Sequence, residues 1–170
     1  MPEIPSAQDS NDDLVNVFID SAQKSGTTVI AGTENLDPWL KMNYSKNARI
    51  LSLVSQFEES IYPDPNLNPS DLKHIDLAII GSSLGVSENG AIWISESDCR
   101  WRILPFIAEH LIVFLNKKNL VANMHDAYQS LKINATGFGV FIGGPSKTAD
   151  IEQSLVVGAQ GSRSHTVFLL

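Results

Sequence analysis

Residues 143–148 have the types and spacing expected of a site that holds a small anion. They read Gly-Gly-Pro-Ser-Lys-Thr and follow the apolar run Val140-Phe141-Ile142. Glycine permits positive φ and lets a ligand come close to the backbone, while proline fixes the direction in which the chain leaves the turn. N–H groups at a helix start, beside a lysine, hold phosphate or carboxylate. The residues predicted to bind the anion are Gly143, Gly144, Ser146, Lys147 and Thr148.

The same segment predicts a helix directly after the turn. Ser146 or Thr148 is a suitable N-cap, and Asp150 and Glu152 place negative charge in the first turn, where the helix dipole favours it. Apolar residues then form one stripe, comprising Ile151, Leu155, Val156 and Ala159. The alternative interpretation is an ordinary helix cap at the end of a buried strand, with no ligand.

In the motif Ser87-Glu88-Asn89-Gly90, the last three residues lie between two extended runs, residues 84–87 and 91–95. Asn-Gly is the strongest short signal for a β-hairpin. In this interpretation Glu88 is a solvated residue beside the turn. In the alternative interpretation Glu88 is a reactive carboxylate, and Asn89 and Gly90 belong to a ligand site.

The reactive interpretation combines the two segments. A carboxylate nucleophile needs donors that fix the carboxylate of the substrate or stabilise a developing oxyanion, and backbone N–H groups of a glycine turn supply them. We therefore expect Glu88 to face residues 143–148, with Lys147 at the rim and Asp150 orienting a hydroxyl or the turn. Glu88 and Asp150 are the candidate catalytic residues.

The elements that position these segments alternate between helix and strand. Helices are predicted at residues 12–25, from residue 37, at 57–62, at 68–71 and at 123–131, and strands at 27–31, 49–54, 76–80, 111–115, 137–142 and 165–170. Such alternation indicates an α/β fold, with a mainly parallel sheet covered by helices and a central β-hairpin. Ligands of such sheets bind at the carboxyl ends of the strands. The turns after Ile80, Leu115 and Ile142 are expected to share that edge.

Composition limits the classes of function. The chain has 170 residues, 43% hydrophobic and 18% charged, with net charge −7 and no basic run. We expect a flexible tail over residues 1–11, one domain over 12–170, a cytoplasmic location, no membrane span and no nucleic-acid partner. Cys99 is the only cysteine and the four histidines lie far apart, so no metal site or cofactor is predicted. Nor does Gly137-Phe138-Gly139 extend to a dinucleotide fingerprint.

The run from Gly144 to Glu152, followed by residues 155–158 and Gly161-Ser162-Arg163, closely resembles the signature of the LUD (lactate-utilisation) domain family. The resemblance covers residues 76–170. The family usually has arginine at Lys147 and histidine at Gln160.

The Ser-Glu-Asn-Gly motif is similar to that of class I CoA-transferases, in which the glutamate attacks an acyl-CoA, although LUD proteins usually read Ala-Glu-Thr-Gly-Thr here. Arg100 and Arg102 resemble the basic pair that often follows the LUD hairpin. Arg100 is therefore a candidate ligand residue, with an ordinary surface charge as the alternative.

The resemblance implies a NagB/RpiA/CoA-transferase-like fold and a member of the lactate utilisation protein C group. That group acts with iron–sulfur and oxidoreductase partners in oxidising lactate to pyruvate. The implied function is an accessory or small-carboxylate-binding component of that system. The alternative is a stand-alone enzyme that uses Glu88 on an acyl-CoA, a carboxylate or a sugar phosphate. Fold alone does not decide between the two.

Overall fold

The architecture is known from a computed structural model, which describes residues 11–34, 36–45, 47–54, 68–131, 137–151, 154–158 and 161–170. The helix predicted at 57–62 and all but the last residue of the predicted N-terminal tail lie outside these ranges. The helices are α1 (Asn11–Lys24), α2 (Leu36–Asn43), α3 (Glu96–Cys99), α4 (Leu104–Ile107) and α5 (Met124–Ser130), with 3₁₀ helices at Pro69–His74 and Lys117–Asn119. The strands are β1 (Thr28–Ala31), β2 (Ile50–Ser52), β3 (Leu77–Ser82), β4 (Leu84–Val86), β5 (Ala91–Ser95), β6 (His110–Leu115), β7 (Leu120–Val121), β8 (Gly139–Ile142), β9 (Lys147–Ile151), β10 (Ser154–Val157) and β11 (Ser164–Leu169).

A parallel sheet of five strands, in the order β1-β11-β6-β3-β2, lies at the centre of the fold. Strand β6 occupies its middle and pairs along its whole length with β11 on one side and β3 on the other. The prediction of a mainly parallel sheet covered by helices is confirmed. None of the helices in the described ranges is long and apolar enough to cross a membrane.

Alternating side chains of the central strands bury both faces of this sheet. Leu111 and Val113 of β6 belong to a core cluster with Phe18 of α1, whereas Ile112 and Phe114 belong to a second cluster with Leu40 of α2. Continuous apolar strands of this kind are typical of parallel sheets covered on both faces. Each such side chain contributes about 2 kcal/mol when it is removed from water.

Helix α1 ends as its sequence predicts. Phe18 and Ala22 are one turn apart and fully buried, so they form the stripe that covers the sheet. Gly26 follows with φ 92°, the left-handed conformation that commonly terminates helices. The last turn of α1 is thereby placed beside both segments of the candidate site.

A second sheet, in the order β7-β4-β5-β8, extends the first. Strand β3 passes directly into β4, and the Ser82 hydroxyl donates to the Trp93 carbonyl at 2.8 Å across this junction. Strands β4 and β5 form the predicted hairpin, with Leu84 opposite Trp93 and Val86 opposite Ala91. The central β-hairpin of the sequence prediction is therefore confirmed.

Strand β8 does not belong to the parallel sheet. It pairs antiparallel with β5 at an edge of the second sheet, and its four residues are half-buried rather than buried. The expectation that the turn after Ile142 shares the carboxyl edge of the parallel sheet is wrong, because an apolar run of four residues does not reveal which sheet it joins.

The described residues that follow the glycine turn form two strands, and the helix predicted there is wrong. Strands β9 and β10 pair antiparallel, with Lys147 opposite Val157 and Thr148 opposite Val156. β-branched side chains lose χ1 freedom in a helix and fit the pleated surface of a sheet. Here that preference outweighs the helical spacing of the apolar residues.

Candidate functional site

Both sequence segments of the predicted site lie against the last turn of α1. Gly90 and Gly144 have positive φ, of 68° and 100°. A Cβ at Gly90 would overlap the backbone of Ala22, and one at Gly144 would lie 2.5 Å from the Ser25 carbonyl oxygen. Only glycine permits both the conformation and the close approach. The tertiary structure thus brings the two turns to one end of one helix.

Pairing of β5 with β8 places the two turns side by side. Ile92 is opposite Ile142, so the chain leaves β8 next to the hairpin turn. A Cβ at Gly143 would lie 3.9 Å from the Ala91 Cβ, an ordinary contact distance. Gly143 is exposed, so its backbone is open to a ligand.

Ser146 and Lys147 are held by the protein itself. The Ser146 N–H donates to the Ser162 carbonyl at 2.8 Å, and the Ser146 carbonyl accepts from the Gly158 N–H at 2.9 Å. The Lys147 ammonium donates to the Ser25 carbonyl at 2.6 Å, at the negative end of the α1 dipole. An ammonium carries three donors, so Lys147 can bind a ligand without releasing Ser25. The Ser146 amide, in contrast, is already occupied.

Thr148 and Asp150 belong to β9, but their side chains lie outside what the structure describes. Their predicted contributions to the site stay predictions.

Glu88 contacts the element on the other side of the hairpin. Its Oε1 accepts from the Met124 N–H at 2.8 Å, at the first residue of α5. A carboxylate is favoured there by the helix dipole. Because the sheet order is β7-β4-β5-β8, the Glu88 carboxylate lies towards β7 and α5, whereas residues 143–147 adjoin β5 through β8. To act as a nucleophile, Glu88 would have to release Met124.

Asn89 shapes the hairpin turn. Its Oδ1 accepts from the Ala91 N–H at 3.0 Å, and the positive φ of Gly90 completes the turn. These contacts explain Asn89 and Gly90 as turn residues. Their predicted contacts with a ligand stay predictions.

Arg100 does not join the other predicted site residues. It follows α3, beyond the far end of β5, and a five-residue strand separates the two ends by about 15 Å. Its guanidinium stacks over the Trp101 ring at 4.7 Å. Arg102 pairs with Glu96 at 2.9 Å, and this hydrogen bond holds the pKa of Glu96 below its usual value.

The structure also assembles polar groups that sequence reasoning left apart. His110 Nδ1 lies 2.7 Å from the Ser164 hydroxyl, and the Tyr44 ring meets the His110 ring edge-on at 5.1 Å. These residues lie where β6 and β11 begin, at the edge opposite to their carboxyl ends. Burial lowers the pKa of His110 and raises that of Tyr44. No spacing in the sequence links residues 44, 110 and 164, so only the fold reveals this group.

His165 is a second buried histidine that the sequence did not distinguish. Its Nδ1 lies 2.9 Å from the Thr27 hydroxyl, whereas its Nε2 has no hydrogen-bond partner among the described residues. Burial lowers the pKa of His165 to about 4. The imidazole is therefore neutral at physiological pH.

A surface cavity of about 630 Å³ opens beyond the carboxyl end of β1. It is lined by Thr33, Glu34, Leu36, Asp37, Pro38 and Lys41. Within the described ranges, no group of three or more His, Cys, Asp or Glu residues is arranged to hold a metal ion.

A parallel sheet covered on both faces, continued by a hairpin into a second sheet, places the protein in the NagB/RpiA/CoA-transferase-like class of α/β folds. The crystal structure of a DUF162 family protein from Deinococcus radiodurans shares this fold. The similarity covers 94% of this chain and 98% of that one, with a TM-score of 0.68 and 16% sequence identity.

The family model of the LUD domain matches residues 10–170, and the chain belongs to the LUD domain family. It is 35% identical over 92 residues to lactate utilization protein C of Shouchella clausii, a match covering 51% of this chain and 40% of that protein. It is 34% identical over 90 residues to lactate utilization protein C of Bacillus pumilus, covering 49% and 38% respectively. These matches thus cover less than half the length of the curated relatives.

Proposed function

We propose that this chain is an accessory protein of lactate utilisation that binds a small carboxylate. The observation that carries the proposal is its similarity, at 34–35% identity, to two proteins named lactate utilization protein C. Membership of the LUD family over residues 10–170 supports it. Lactate and pyruvate, the carboxylates of that process, are the ligands to test first.

An accessory role agrees with the chemistry of the single thiol. Cys99 is fully buried, and burial raises the pKa of its thiol to about 11, so the reactive thiolate is disfavoured. One thiol cannot ligate an iron–sulfur cluster. In this proposal another protein, of an iron–sulfur or oxidoreductase type, carries the electrons from lactate.

The proposed ligand site is the exposed backbone at Gly143 together with the Lys147 ammonium. The nearby C-terminus of α1 carries partial negative charge, which repels an anion unless a cation offsets it. The Ser146 amide is also occupied by Ser162. The site therefore depends on Lys147 more than on the backbone amides. Arginine, which the LUD signature usually has at this position, would supply the same charge.

Anion titrations followed by amide NMR spectra test this site. Lactate, pyruvate and phosphate are added in turn to wild type, Lys147→Met and Lys147→Arg, with the exposed Lys118→Met as matched control. We expect shifts at Gly143 and Gly144 in wild type, retained in Lys147→Arg and Lys118→Met. Lys147→Met should bind the anion at least about tenfold more weakly, because it loses one charge-assisted hydrogen bond. Wild-type affinity in Lys147→Met, or no shift with any of the three anions, refutes the site.

Growth on lactate tests the role. In a strain that lacks the gene, wild type and Glu88→Gln should restore growth equally, because an accessory protein needs no nucleophile. If Glu88→Gln fails, and purified wild type alone forms a hydroxylamine-sensitive adduct with acyl-CoA, the stand-alone enzyme replaces the accessory role.

A further inference from the structure

The chain from the end of α3 into α4 carries exposed side chains that the proposed ligand site does not use. Ile103 is 49% and Phe106 41% exposed. Arg100, three residues before Ile103, is exposed as well. We call Arg100, Trp101, Ile103 and Phe106 the α3–α4 surface.

The backbone holds Arg100 in a strained conformation. Its φ is 54° and its ψ −45°, and the Trp101 N–H donates to the Cys99 carbonyl at 2.5 Å across it. These values define a γ-turn of the rare positive-φ type. Cys99 is fully buried and Trp101 half-buried, so the residues on both sides anchor the turn. Such strain costs on the order of 1–3 kcal/mol and clusters at functional positions.

Arg100 differs from Arg102 and Arg163 in its charge partner. Arg102 pairs with Glu96 at 2.9 Å and Arg163 with Glu109 at 2.6 Å. No carboxylate among the described residues pairs with Arg100, whose guanidinium instead stacks 4.7 Å from the Trp101 centroid. Stacking fixes the planar fork that binds carboxylates in a bidentate manner. The Arg100 guanidinium is therefore held in one orientation and faces solvent, in a chain whose net charge is −7.

The exposed apolar residues follow this cation closely in the chain. Ile103 immediately precedes α4 and Phe106 lies three residues later, so their side chains point to the same side of the turn. Tryptophan and arginine beside exposed apolar groups are the composition of protein interaction sites. A small carboxylate would meet Arg100 but leave Ile103 and Phe106 in water. Nucleic acid is a poor fit, because its binding requires several cations to neutralise phosphates and this chain has no basic run.

We propose that the α3–α4 surface binds a segment of a partner protein in which an aspartate or glutamate stands next to leucine, isoleucine or phenylalanine. The carboxylate pairs with Arg100, and the apolar side chain covers Ile103 and Phe106. This surface lies at the opposite end of β5 from residues 143–147. A test of the α3–α4 surface therefore does not depend on whether the proposed carboxylate site is correct.

Selection of displayed random 12-residue peptides on the full chain tests the proposal, with counter-selection on an Arg100→Gly, Phe106→Ser double variant. We expect enrichment of sequences with Asp or Glu adjacent to Leu, Ile or Phe. A synthetic copy of the most enriched peptide, measured by fluorescence anisotropy, should bind Arg100→Gly and Phe106→Ser each about tenfold more weakly. Glycine accepts positive φ, so Arg100→Gly removes the guanidinium without adding strain.

Two matched variants control for general loss of charge or of apolar surface. Lys118→Ala removes an exposed cation from the 3₁₀ helix Lys117–Asn119, and Met42→Ser removes a side chain that is 86% exposed; both should bind the peptide like wild type. Enrichment of basic or purely apolar peptides, no enrichment, or unchanged binding to Arg100→Gly overturns the proposal. Dimerisation in sedimentation velocity that Phe106→Ser abolishes also overturns it, since the occupant would then be a second copy.

Discussion

Replacement of Gly144 by alanine tests whether the glycine turn lies against α1. Gly144 is buried with φ 100°, and a Cβ there would lie 2.5 Å from the Ser25 carbonyl oxygen and 3.2 Å from the Ser25 carbonyl carbon. The obstacle is backbone at the end of a helix, which cannot rotate away. The same carbonyl accepts the Lys147 ammonium, so a displaced turn also loses this hydrogen bond.

The two costs in Gly144→Ala add. A non-glycine residue at this φ costs on the order of 1–3 kcal/mol, and forcing a methyl group into a packed site costs about 1–3 kcal/mol more. Their sum, about 2–6 kcal/mol, is a large part of the roughly 5–15 kcal/mol that stabilises a domain. For a domain of this size, about 3 kcal/mol corresponds to a fall in melting temperature of roughly 6–12 °C.

The adjacent glycine supplies the control. Gly143 is exposed and its φ is not positive. A Cβ there would lie 3.9 Å from the Ala91 Cβ, which is an ordinary contact distance. Gly143→Ala should therefore leave stability unchanged or raise it by up to about 1 kcal/mol. Urea unfolding and calorimetry measure both variants. Equal stability of the two variants would show that the turn does not pack on Ser25.

Two further predictions concern buried titratable groups. Burial lowers the pKa of His165 to about 4, from 6.5 in the unfolded chain. Between pH 6.5 and pH 4 the unfolded chain therefore binds more protons than the folded protein, and the free energy of unfolding falls as the pH drops through this range. Wild type should lose on the order of 3 kcal/mol more than His165→Gln between pH 7 and pH 4 in urea titrations, and parallel curves would contradict this. Because burial raises the pKa of the Cys99 thiol to about 11, a thiol reagent at pH 8 should label the native protein far more slowly than the urea-unfolded chain; similar rates would show that the thiol is accessible.

Local patterns in the sequence were enough for most of the elements. The apolar stripe of Phe18 and Ala22, followed by Gly26, predicts α1, and Asn89-Gly90 predicts the hairpin. Asn123 caps α5 as predicted, its side chain accepting from the Asp126 N–H at 3.0 Å. Each of these signals depends on residues only a few positions apart, so the amino-acid order carries it.

In the segment after the glycine turn, the spacing of nearby residues predicts the wrong secondary structure. Its apolar residues fit helical spacing, yet β9 and β10 pair with each other, as their β-branched side chains favour. Nor do the four residues of β8 indicate that this strand joins the second sheet.

The sequence by itself determined the family signature, the α/β class and the two turns, because these depend on residue types and short spacings. The direction of the Glu88 carboxylate towards Met124, the distance of Arg100 from the glycine turn and the meeting of Tyr44 with His110 were decided only by the tertiary structure. The physical reason is that such contacts join residues far apart in the chain, and strand pairing and helix packing alone bring them together.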